Sequence, residues 1–103
     1  MNKELINELT NDFDIFAATV NADTKVDCSG VEKNKLDAIA VATYLQMIDR
    51  IKMHKYPVNK VQAYDLYARM LDRACRNIRY GRRYEYEIAW IRKQCSIYCR
   101  QRI

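Results

Sequence analysis

Apolar residues recur at intervals of three and four along most of this chain. Ile6, Leu9, Phe13, Phe16 and Val20 are spaced 3, 4, 3 and 4, which lines one helical face. The spacing predicts an N-terminal helix from residue 3 through about Ala18, with Asn2 as its cap. A competing signal lies between Asp12 and Cys28, where Ile15, Ala17 and Thr19 alternate as in a short hairpin turning at Asn21–Thr24. Helix followed by a polar loop is the reading adopted.

Ser29-Gly30-Val31-Glu32 fits a capping box, so a helix is expected over residues 31–54. Its apolar positions, Leu36, Ile39, Ala40, Val41, Tyr44, Leu45, Met47, Ile48 and Ile51, wrap more than half the circumference. Such a helix belongs in the centre of a bundle. Lys52, His54 and Lys55 follow, where positive charge suits the helix dipole. Tyr56-Pro57 ends the element, because a residue before proline avoids the helical region.

Asn59-Lys60-Val61-Gln62 offers a second capping box, opening a helix over 60–80 with a seam of Val61, Tyr64, Ala68, Leu71, Cys75 and Ile78. Gly81 is placed as a helix-ending glycine. The apolar phase changes there. It restarts at Tyr84, Ile88, Ile91, Cys95 and Tyr98, which predicts a separate last helix over 83–102. The expected fold is mainly α: a small up-and-down bundle of three long helices plus an N-terminal helix or short hairpin segment. All 103 residues form one domain, with residues 1–28 as an acidic N-terminal segment.

Composition supports that outline. Half the residues are apolar, and two glycines and one proline leave few places to turn. No apolar run approaches the ~20 residues that span a bilayer, and the N-terminus turns acidic where a signal peptide would be apolar. A cytoplasmic setting without a membrane partner is therefore expected.

Charge changes the picture more. Residues 1–50 hold five Lys/Arg against nine Asp/Glu, a net of −4; residues 51–103 hold thirteen against four, a net of +9. Arg69, Arg73 and Arg76 fall within about one-sixth of a helical circle. Arg82, Arg92, Lys93 and Arg100 share one side of the last helix, with Glu85 among them. Guanidinium forks match phosphate oxygens, and aromatic faces stack on unpaired bases. The opposing expectation is a solvated face, because Asp65→Arg69 and Asp72→Arg76 have the favourable i,i+4 order for neutralising one another.

Other chemistry has little support. Cys28, Cys75, Cys95 and Cys99 lack the close pairs typical of zinc sites. If the last helices fold back about Gly81, Cys95 faces Tyr67, roughly 12 Å along the axis from Cys75, too far for a disulfide. The cysteines are read as small core residues, with no metal and no cofactor. His54 is the sole histidine, and Ser29 and Ser96 are the sole serines. No catalytic constellation is identifiable, so the expectation is a non-enzymatic protein.

The last helix has two apolar sides. With Arg92 as zero, its seam lies between about −40° and −120°, whereas Tyr86, Trp90 and Ile97 lie at about 120–160°. Those three are expected to anchor a homodimer or a partner, unless the N-terminal segment covers them. The functional expectation is stoichiometric contact of a basic, aromatic C-terminal surface with nucleic acid or a nucleic-acid-bound assembly. The alternative is a protein-directed adaptor or inhibitor, such as a phage-type regulator of host machinery, that binds an acidic protein surface.

Overall fold

Helices supply all the regular structure of the described residues, 2–11 and 30–94 in this computed structural model. They are α1 (Lys3–Asn11), α2 (Lys33–Met53), α3 (Lys60–Arg79) and α4 (Tyr84–Lys93). Consecutive helices run antiparallel. Asn2 reaches Ile51 while the Leu9 carbonyl accepts from Tyr44, which sets α1 against α2. Tyr67 donates to Ala40, and Gly30 lies against Arg79, which sets α3 against α2. The result is the up-and-down bundle expected. The hairpin alternative for residues 12–28 lies outside the described residues, as do residues 95–102 of the expected last helix.

The boundaries show which local signals act. α3 begins with a full capping box: the Asn59 side chain accepts from the Gln62 amide at 2.8 Å, and the Gln62 side chain accepts from the Asn59 amide at 3.0 Å. It ends in a Schellman arrangement. The Gly81 amide donates to the Ile78 carbonyl at 3.1 Å and the Arg82 amide to the Asn77 carbonyl at 3.0 Å. Gly81 adopts φ +105°, a left-handed conformation that side chains disfavour.

Two expected caps are corrected. Glu32 occupies the N-cap of α2 itself, with no side-chain capping bond, so the helix starts at Lys33 and Glu32 is not the third residue of a box opened by Ser29. Asn2 does precede α1, yet its side chain is drawn to the α2–α3 corner. There it donates to the carbonyls of Ile51 (3.3 Å) and Tyr56 (3.2 Å) and accepts from the Val58 amide (2.9 Å). These three corner contacts, the Val58 amide among them, draw the side chain away from a local cap.

α2 is the central element, as its pattern predicts. It contacts α1, α3 and α4, and ten of its residues are buried. The main core joins Leu9, Ala40, Tyr44, Met47 and Ile51 to Ala63, Tyr67, Leu71 and Cys75. The rings of Tyr44 and Tyr67 meet edge to face at 5.6 Å. Val41, counted among the apolar positions of α2, is 38 % exposed.

The seam of α3 is also corrected. Ala63, Tyr67, Leu71, Ala74 and Cys75 are buried, whereas Val61 is 75 % exposed and Tyr64, Ala68 and Ile78 are half-buried. The true face is rotated by about 60° from the expected one. Tyr67, a polar-tipped ring, sits at its centre because its hydroxyl finds the Ala40 carbonyl. On α4 the expected seam holds for Ile88 and Ile91, with Tyr84 half-buried. At the other edge Lys60 bonds Glu8 at 2.9 Å, linking α3 to α1. That hydrogen bond raises the ammonium pKa above its ordinary value.

Candidate functional site

The arginines of α3 project opposite its buried face. Arg69, Arg73 and Arg76 are all exposed, one or two turns apart on the same side. Two of them have carboxylate partners at i−4: Arg69 lies 3.1 Å from Asp65, and Arg76 pairs with Asp72. Such exposed pairs add little stability and are readily exchanged for another anion. Among the described residues no carboxylate pairs with Arg73.

Arg73 instead borders a cleft of about 70 Å3 where α2, α3 and α4 meet. Each helix contributes one wall. From α2 come Thr43, Gln46 and Arg50, which follow one another at i, i+3 and i+7 on a single face. From α3 come Met70, Arg73, Ala74 and Asn77; from α4 come Glu87, Trp90 and Ile91, with Arg82 closing one end from the turn. Arg50, Arg73 and Arg82 thus converge from three elements.

Glu87 is the carboxylate of this cleft and is 2 % exposed. A buried carboxylate requires compensation. Arg82 supplies it at 3.3 Å, and the Asn77 amide reaches both carboxylate oxygens at 3.4 Å. The Schellman turn makes this possible, since it carries the chain past Asn77 and back across the end of α3. Arg82 therefore precedes α4 and folds onto Glu87, which corrects its expected place on one face of the last helix with Arg92 and Lys93. Arg50, like Arg73, has no carboxylate partner among the described residues. Counting side chains, the cleft holds three guanidiniums and one carboxylate, and so carries net positive charge.

Arg50 also borders a second, more open groove of about 620 Å3, which continues along α2 and α3 past His54, Tyr56, Asp65 and Arg69. A basic track therefore runs from Arg69 through Arg50 and Arg73 to Arg82. Trp90 stands at one end of it, 39 % exposed, with Tyr86 further out at 63 %. The Arg83 guanidinium lies over the Tyr86 ring at 6.0 Å. Arg92 and Lys93 are exposed in the last turn of α4, away from the cleft lining. Ile97 and Arg100 lie outside the described residues.

Charge counting on the C-terminal half found Arg73, Arg82 and Trp90 but missed what joins them. Arg50 belongs to the acidic half of the sequence, and Thr43, Gln46 and Asp49 are polar residues buried in a helix read as apolar. Their regular spacing was the available signal. Glu87 sits between Tyr84 and Ile88 on the buried side of α4, where only its partners Arg82 and Asn77 explain its burial.

Cys75 is 0 % exposed and packed in the core, as expected of a small seam residue; the other three cysteines lie outside the described residues. Among the described residues no group of three His, Cys, Asp or Glu is placed to hold a metal ion, and no helix is long and apolar enough to cross a membrane. No protein-family model matches the chain, and no curated protein and no solved structure matches it.

Proposed function

We propose that this is a non-enzymatic binding protein that occupies a nucleic acid, or a nucleic-acid-bound assembly, through the basic track on α2, α3 and α4. One observation carries the reading. Arg50 and Arg73, neither neutralised by a carboxylate among the described residues, line the same cleft as the half-exposed Trp90. Guanidiniums without acidic partners beside an accessible aromatic face suit phosphates and bases together. The cleft's carboxylate is engaged by Arg82 and Asn77, so it serves the fold rather than a proton transfer.

The test is salt dependence. Affinity for a random-sequence oligonucleotide should fall steeply as salt rises, because each neutralised phosphate releases counterions. Replacing Arg69, Arg73 and Arg76 together by glutamine should flatten that slope. Absence of binding at about 50 mM salt would overturn the reading in favour of an acidic protein surface as the target.

A further inference from the structure

We propose that the cleft between α2, α3 and α4 seats a single nucleotide of an unpaired strand, its phosphate held between Arg50 and Arg73 and its base stacked on Trp90. This rests on the nucleic-acid reading above and specifies the form of nucleic acid. Three observations lead to it.

The first is size. A cleft of about 70 Å3 has room for a few waters or one phosphate-sized group. A duplex, about 20 Å across, cannot enter it; a flexible strand can turn one residue inward.

The second is an unused polar atom. Thr43 is 1 % exposed and lines the cleft, yet its hydroxyl oxygen has no hydrogen-bond partner among the described residues. Buried polar groups are nearly always paired, and an orphan facing a cavity fits a ligand that completes it. A helix threonine can also bond back to its own backbone, but this one does not.

The third is the order of charge and ring. Arg50 and Arg73 reach the cleft from different helices, and so present donors to one phosphate from two walls. Trp90 is beside them on α4, partly exposed. Glu87 lies in the wall with its charge offset by Arg82, which leaves Arg50 and Arg73 to receive an anion. A phosphodiester carries one charge and can stay at the mouth between Arg50 and Arg73. The combination of a cationic track with a stacking platform is how sequence-tolerant single-strand binders work.

Trp90 is the only tryptophan in the chain, so its emission reports this site alone. The experiment titrates the protein at low salt with a fluorescein-labelled or unlabelled oligothymidylate, its duplex with oligoadenylate, and heparin. Anisotropy follows binding, and tryptophan emission follows stacking. Saturable quenching by the single strand, absent with heparin and weaker with the duplex, is the expected result. Trp90→Ala should lower single-strand affinity on the order of 5- to 100-fold, and Trp90→Phe should retain most of it. Arg50→Gln and Arg73→Gln should each reduce the logarithmic salt slope by about 0.7, the value for one phosphate on a single strand. Thr43→Val should weaken single-strand binding several-fold with an unchanged circular-dichroism spectrum.

Single-strand binding that leaves Trp90 emission unchanged would overturn the nucleotide seat while leaving the nucleic-acid reading intact. Equal quenching by heparin would overturn stacking, and preference for the duplex would overturn the unpaired strand. Failure of every polyanion to bind would remove both readings together.

Discussion

Two strips of α2 face its neighbours about a quarter turn apart, one buried throughout and one buried at Thr43 and Gln46 but exposed at Arg50, and they differ in kind. One is Ala40, Tyr44, Met47 and Ile51, set against α1 and α3. Its polar atoms are satisfied: the Tyr44 hydroxyl donates to the Leu9 carbonyl, and the facing Tyr67 hydroxyl donates to Ala40. The other is Thr43, Gln46 and Arg50, set against α3 and α4 around a cleft. There, among the described residues, a hydroxyl is left without a partner, a carboxylate is buried, and two guanidiniums lack acids. A bundle of this size has no mechanical need for the second strip. An apolar strip would pack α4 as well at lower desolvation cost. Stability is forgone in one place and not the neighbouring one, and the proposed binding role would account for that difference.

Damage to the apolar strip should have the largest effect. Tyr67→Ala should destabilise by roughly 3–5 kcal/mol in urea titrations, as for other large buried rings. Less than about 1 kcal/mol would mean that α3 does not pack as described.

The ion pair on the polar strip should respond asymmetrically. Arg82→Ala leaves the Glu87 carboxylate buried with only Asn77, at a cost of about 2 kcal/mol. That is less than for a fully buried pair, because Arg82 is 44 % exposed. Glu87→Gln removes the charge itself and should cost about half as much, since a neutral amide needs no counter-ion. Adding Glu87→Gln to Arg82→Ala should recover part of the loss. Chemical denaturation of the three variants measures the order; the reverse order would show that the carboxylate is not isolated from water.

Thr43→Val should act in the opposite direction and raise stability by about 1 kcal/mol, because it replaces an orphan hydroxyl with a methyl group of similar shape. A fall in melting temperature would mean that the hydroxyl has a partner, and the contrast between the two strips would lose its main support. The smallest effect belongs to Val61, which is 75 % exposed. Val61→Lys should change stability by no more than about 0.5 kcal/mol, whereas a valine on the buried seam would not tolerate the change.

That last position shows where sequence reasoning stopped. Helix existence was legible throughout the described residues, because Asn59 with Gln62, Pro57 and Gly81 are strong local punctuation. Helix phase was less legible. On α3 the polar-tipped Tyr67 belongs to the core and the apolar Val61 does not, a choice made by the Ala40 carbonyl on another helix. The arginine row was visible, but its convergence with Arg50 was not, since a 19-residue shift along the chain from Arg69 becomes a shared groove only when α2 and α3 pair. Glu87 was opaque for the same reason: its burial depends on the turn that returns Arg82 across the end of α3.

The side chain of Asn2 has a consequence in time as well as in space. It closes the α2–α3 corner from 56 positions away, so the Val58 amide has no acceptor until α1 docks. Closing a loop of that length costs only a little more entropy than closing a short one, but it must wait for both segments to be present. The corner is therefore finished late in folding and released early in local opening. Hydrogen exchange at the Val58 amide reads that event: it follows departure of α1 from the bundle, while the amides of the two long helices on either side stay protected.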